Sequence, residues 1–230
     1  MRGIRLFAKG RLLPIVPLLV IADMLLSFKY WDARYPLYIS GQGMPVYIIV
    51  PALIGQACAT LCLVCIAPRT PVTDRLAVRK TAIWNVGAAI ATAGIHIAIP
   101  LVNYQILASI PTATVPNYKT YITGGARFTD VVPLNNAIFT SASIAIHIAV
   151  ATCAISLLGK ITGTLVSFAC LTASVGALAL MPYDALLRGN ISGADTGVAI
   201  YACIAAVACA ASLAVWGVSR AAGPFNPMNR

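Results

Sequence analysis

Three ionisable side chains stand inside stretches that are otherwise apolar: Asp23, His96 and His147. A charge at the centre of a bilayer costs roughly 2.5–3.5 kcal/mol on insertion scales, so such residues mark pathways and relays more often than surface ones do. Asp23 is the only acid so placed. A carboxylate there can contact a substrate, relay protons or pair with a cation; its plainer roles are a structural hydrogen bond or a reach towards the headgroups. The two histidines share the local string Ile-His-Ile-Ala. An imidazole can relay protons near neutral pH, and two can hold a haem iron axially.

Depth decides between these roles. If the third apolar segment ends at Leu101, His96 lies about five residues, or roughly 7–8 Å, from its outer border. It then shares the depth of Asp23, and the two pair if helices 1 and 3 touch. His147 would lie about 12 Å deeper, too far for one haem. If the segment runs on to Ile110, the depths of the two histidines nearly match. Asp23, His96 and His147 are therefore the candidates for a substrate path, and the histidine pair is the candidate for a haem-bearing anchor or redox subunit.

Cys58, Cys62 and Cys65 fall on one face of a helix. Three thiolates suit a soft metal such as Cu(I), but cysteine also serves as a small apolar core residue. No His or Met in the same segment completes a ligand set, so no metal is expected. All seven cysteines lie in apolar stretches. Their odd number and buried positions argue against a disulfide framework.

The elements that must position these residues are six long apolar stretches, at about 12–28, 46–66, 81–101, 134–159, 161–181 and 196–218. A bilayer core about 30 Å thick is crossed by about 20 helical residues. The chain thus reads as an all-α integral membrane protein, a single transmembrane domain of six helices. Charged residues are 10% of the chain, against about 25% in soluble domains. Residues 1–28 have the basic start of a signal peptide, but Asp23 interrupts the apolar run and Ser27-Phe28-Lys29-Tyr30 is no small-residue cleavage site. The segment is expected to stay as helix 1, with residues 1–11 as a basic flank or an amphipathic surface helix.

The net charge of +10 invites a nucleic-acid reading, which the placement of the basic residues opposes. With the N-terminus inside, the cytoplasmic segments hold 11 Lys and Arg and the outer segments hold 5. That asymmetry is the positive-inside rule, and it places both termini in the cytoplasm. The partner implied is the bilayer, with no nucleic acid. The chain has no glutamate, no GxxxxGK[ST] loop and no G-x-S-x-G elbow. HExxH metalloproteases and P-loop ATP binding are therefore excluded, as is the nucleophile elbow.

Residues 67–80 form the main cytoplasmic loop. Pro68 and Pro71 stop the preceding helix, and Thr73 or Asp74 can cap a short new one. Residues 102–133, with Pro111, Pro116 and Gly124-Gly125, are expected as the longest outer loop, and Pro100 stands just before it. Residues 182–195 form a shorter outer connection. Lys160 marks a tight inner hairpin between helices 4 and 5. Those two helices are rich in hydroxyls: Thr140, Ser141, Ser143, Thr152 and Ser156 in one, Thr162, Thr164, Ser167, Thr172 and Ser174 in the other. Such groups bond across helices, bond back to their own backbone or line a polar path. Helix 6 carries Ala202, Ala206, Ala210 and Ala214, a spacing that permits close helix approach.

Six helices with both termini inside, the basic loop 67–80 and the short outer segment 182–195 resemble the small six-helix permease subunits of ABC-2-type exporters. The resemblance spans the whole chain and is architectural. It implies a permease subunit that exports an amphipathic, peptide or drug-like substrate from a bacterial cell membrane. The permease would pair with itself or a similar chain. ATP would bind to a separate ATPase subunit, docked on the loop at Asp74, Arg75 and Arg79, with no cofactor on this chain. A non-transporting accessory subunit of a membrane complex is the other expectation of this class.

Overall fold

The computed structural model describes residues 12–31, 33–37, 46–67, 80–111, 134–178 and 194–219. Apart from one two-stranded hairpin it is all-helical: α1 (Val16–Lys29), β1 (Arg34–Leu37), β2 (Val46–Ile49), α2 (Val50–Ile66), α3 (Lys80–Ser109), α4 (Leu134–Leu158), α5 (Lys160–Leu178) and α6 (Ala194–Ser219). Three of these helices are long and apolar enough to cross a membrane, over Ile83–Ser109, Leu134–Leu158 and Gly197–Gly217. The expectations for residues 1–11, for most of the loop 67–80 and for the outer segments 112–133 and 182–193 lie outside the described residues.

Prolines set the starts of the first two helices. A 3-10 turn at Leu13–Ile15 contains Pro14, and Pro17 follows in the first turn of α1. Pro51 does the same in α2, where the missing N–H costs no intrahelical bond and the fixed φ favours helix. The second apolar stretch is accordingly not helical throughout. Its first four residues form β2, paired antiparallel with β1 in the register Arg34↔Ile49 to Leu37↔Val46. The Val50 N–H closes the hairpin on the Ala33 carbonyl at 3.0 Å.

α3 is the larger correction. It does not stop near Leu101 but continues through Pro100 to Ser109, 30 residues in all. Tertiary contact supports the extra turns. Leu107 is buried with Phe28, Trp31, Tyr104, Ala108 and Ile110 around it, and Asn103 Nδ2 donates to the Met24 carbonyl at 3.3 Å. Proline removes the N–H that would bond four residues back and bends the helix there. Here that residue is His96, so the carbonyl left without its helical N–H belongs to a candidate site residue.

α4 lies at the centre, bordered by α2, α3, α5 and α6 and buried on nearly every side. Contacts fix the helix directions. Leu12 N–H bonds the Cys65 carbonyl, while Asp23 lies beside Gly55, so α1 and α2 are antiparallel. α2 and α4 run in the same direction, since Gln56 meets Ser143 and Thr60 meets His147. α4 turns back into α5 at Gly159, whose φ of 85° suits glycine. Four residues on, Gly163 meets α4 so closely that an added Cβ would lie 2.5 Å from the Ala154 oxygen and the Ile155 Cα. The expected tight hairpin at Lys160 is present.

Burial is inverted relative to a water-soluble bundle. Leu18, Ile21 and Leu25 of α1, Ile161 and Leu165 of α5, and Ile200, Ile204 and Val207 of α6 are exposed. Asp23, Ser27, Gln56, Thr60, Asn85, Thr92, His96 and His147 are buried. Apolar side chains facing outwards are at no disadvantage when the surrounding solvent is hydrocarbon. The alanine stripe follows the same logic. Ala206, Ala210 and Ala214 face outwards, and the face of α6 turned to the core carries Val198, Ala205, Cys209, Ser212 and Trp216.

Candidate functional site

In α1 the buried residues are Asp23 and Ser27, four apart and thus one helical turn apart on the same face. Ser27 Oγ donates to Asp23 Oδ1 at 3.0 Å. The other carboxylate oxygen, Oδ2, lies 2.6 Å from His96 Nδ1 on α3. The second ring nitrogen, Nε2, lies 3.4 Å from the Cys62 sulfur on α2. Asp23, His96 and Cys62 are all fully buried. The result is an unbroken chain Ser27–Asp23–His96–Cys62 joining three helices.

Local sequence explains the closeness. Gly55 on α2 leaves room where a Cβ would come 3.6 Å from Asp23 Oδ1 and 2.5 Å from Ile144 Cδ1, so α2 fits between α1 and α4. A carboxylate anchors one imidazole nitrogen and thereby fixes what the other can do. Depending on its protons, His96 accepts from the Cys62 thiol or donates to it. The arrangement can store and move a proton between carboxyl, imidazole and thiol.

His147 belongs to a different network. Its Nε2 lies 3.0 Å from Thr60 Oγ1, and the Thr60 hydroxyl also reaches the Gln56 carbonyl at 2.9 Å. Gln56 Nε2 donates to the Ser143 carbonyl at 3.2 Å. The Ser143 hydroxyl reaches the Phe139 carbonyl at 2.9 Å and lies 3.5 Å from the Tyr201 hydroxyl on α6. Tyr201 stacks on Phe139 with ring centroids 5.0 Å apart. This second line therefore runs α2–α4–α6. Thr60→Val and His147→Ala are each expected to destabilise the α2–α4 contact. A double-mutant cycle on unfolding in bicelles should give a coupling of about 0.6–1.7 kcal/mol, the range of hydrogen bonds between membrane helices.

The sequence expectations sort cleanly. Asp23 and His96 do pair, although α3 does not end at Leu101. α3 runs 13 residues beyond His96 while α1 runs 6 beyond Asp23, which is why equal distances from helix ends misjudge relative depth. The two histidines are not brought together. A haem held by both would have to draw His96 from Asp23 and Cys62 and His147 from Thr60. The three cysteines of α2 are buried, with Cys62 turned to His96, and no group of three metal-ligating side chains occurs among the described residues. Asp74, Arg75 and Arg79 lie outside the described residues.

The hydroxyl-rich helices divide. In α5, Thr164, Ser167 and Thr172 bond back to carbonyls of their own helix. In α4, Thr140 and Ser143 do so, while Ser141, Thr152 and Ser156 have buried hydroxyls with no hydrogen-bond partner among the described residues. Sequence reading missed Ser27, Gln56 and Thr60. The one available signal was spacing: Ser27 lies one turn from Asp23, and Gln56 and Thr60 are polar residues one turn apart in an apolar segment.

No family model, curated protein or solved structure matches the chain. What the fold and the site define is a class. Among the described residues this is a helical protein with three helices long and apolar enough to cross a membrane, carrying apolar side chains outside and polar contacts within.

Proposed function

We propose that the chain is the permease subunit of a membrane transporter. Six helices cross the bilayer, both termini are cytoplasmic, and the membrane is a bacterial cell membrane. The observation that carries this reading is the pair of polar lines inside the bundle, Ser27–Asp23–His96–Cys62 and His147–Thr60–Gln56–Ser143–Tyr201. Both lines include α2. Ionisable groups within a membrane are costly, and proteins keep them chiefly where something polar must pass or be relayed. The opposed directions of α1 and α2 and of α4 and α5 are compatible with the even threading that cytoplasmic termini require.

Energy for transport comes from ATP on a separate subunit, since this chain lacks a P-loop. The exported substrate is amphipathic, a peptide or a drug-like molecule, and it leaves along the interface of two permease copies. The loop containing Asp74, Arg75 and Arg79 docks on the ATPase, and its basic residues pair with acidic ones there. Purification of the tagged chain from its native host is the direct test: an ATP-binding subunit is expected to accompany it. Arg75→Glu with Arg79→Glu should release that subunit while the membrane chain remains folded. Recovery of the native chain without any ATPase overturns the proposal.

A further inference from the structure

We propose that the Asp23–His96 pair is a proton-operated latch that closes α1 over Cys62 and releases it on acidification. This does not depend on what the protein transports. Three observations carry it.

First, α1 buries Asp23 and Ser27 but leaves its large apolar side chains, among them Leu18, Ile21 and Leu25, facing outwards. Apolar contact gives helices no net drive to associate in lipid, so polar contacts and close packing hold α1 in place. The contacts from α3 to this part of α1 are the 2.6 Å bond from His96 to Asp23 and the longer, 3.3 Å bond from Asn103 to the Met24 carbonyl; of the two only the first involves groups that gain or lose protons.

Second, that bond depends on proton number. While Asp23 is a carboxylate, His96 Nδ1–H donates to Oδ2, whether or not Nε2 also carries a proton. When the imidazole is protonated and Asp23 takes a proton too, the pair acquires a net positive charge. A protonated carboxyl is a weaker hydrogen-bond acceptor than a carboxylate, so the bond that held α1 is weakened. An uncompensated charge inside the bundle favours hydration, which moving α1 provides. The sign follows: adding protons to the pair weakens the bond, so acidification favours release of α1. The titratable groups facing the pair are Cys58 and Cys62 of α2. Ser27 on α1 is a hydroxyl donor, and α4 meets this region through the apolar Ile144.

Third, the latch covers a natural reporter. The Cys62 sulfur lies 3.4 Å from His96 and is fully buried, so it reacts with a small thiol reagent only when α1 moves aside. Cys209 is also buried, on α6, which packs against α4 and α3. It reports general loosening of the bundle.

The experiment uses the full chain in lipid vesicles, in two versions retaining a single cysteine, Cys62 or Cys209, with the other six replaced by alanine. Labelling by N-ethylmaleimide is followed at several pH values, and the Cys62 rate is divided by the Cys209 rate to remove the effect of pH on thiol reactivity. That ratio is expected to rise about tenfold or more between about pH 7 and pH 4.5, corresponding to at least about 1.4 kcal/mol of shifted opening equilibrium. Asp23→Asn combined with His96→Gln leaves no titratable group in the pair; its ratio should be flat with pH. His96→Ala should give a high ratio at every pH. A ratio in the unaltered pair that does not change with pH overturns the latch. So does a Cys209 rate that climbs in step, because the pair would then be holding the whole bundle rather than α1.

Discussion

Replacing His96 by alanine is expected to lower the unfolding free energy by about 1–3 kcal/mol, the cost of leaving a buried polar group without its partner, and by about 3–5 kcal/mol where that group stays charged. Asp23→Ala should cost a comparable amount where His96 stays charged, and about 1–3 kcal/mol where only a polar group loses its partner. The double replacement should cost little more than the worse single one, because it leaves no orphan. The bond lies wholly inside the bundle, with both side chains out of contact with solvent, so screening does not dilute it. After the loss of His96, Asp23 keeps the Ser27 hydroxyl but no group that can balance its charge. Reversible unfolding in bicelles, followed by tryptophan fluorescence, measures all three values. Trp31 sits just past the C-terminal end of α1, packed with Leu107 of α3, and should respond first. Strictly additive single effects would mean that the 2.6 Å geometry carries no coupling.

The second large effect is steric. Gly163→Ala is expected to destabilise by about 1–3 kcal/mol, the range for overpacked sites, and Gly163→Leu by more. The new Cβ would meet the Ala154 carbonyl oxygen and the Ile155 Cα at 2.5 Å. Both are backbone atoms of α4, and no rotamer change removes them. The α4–α5 hairpin must open instead, and that movement also disturbs the helix carrying His147. Gly55→Ala should be milder, since its nearest obstacle is the flexible tip of Ile144. Gly94→Ala meets nothing within 4 Å and should be neutral or stabilising by about 0.5–1 kcal/mol, as helix propensity dictates. The same unfolding assay ranks the three, and an order with Gly94→Ala worst would contradict the packing described.

Much of this protein is legible in its amino-acid sequence. Apolar length places α4 and α6 almost to the residue, because a run of that length without charge has few stable forms other than a helix in lipid. Asp23, His96 and His147 stand out because an ionisable residue in an apolar run is rare whatever surrounds it. Matched depth predicts the Asp23–His96 pair on the condition that α3 ends at Leu101; the pair forms although α3 runs on to Ser109.

Other features are settled only in three dimensions. Pro100 reads locally as a helix end, yet α3 passes through it, because Asn103 and Leu107 find partners on α1 and its outer end that make the extra turns worth forming. Residues 46–49 read as the start of a helix and instead pair with β1, since Pro51 fixes the helix start beyond them. The two histidines, alike in local sequence, are separated by tertiary contact alone. One faces α1 and α2 through Asp23 and Cys62, and the other faces a different side of α2 through Thr60. Hydropathy is a property of each segment and fixes which segments enter the membrane. Which polar side chain meets which depends on the rotation and stagger of one helix against another, and those are set by close contacts such as Gly55 and Gly163, which no single segment contains.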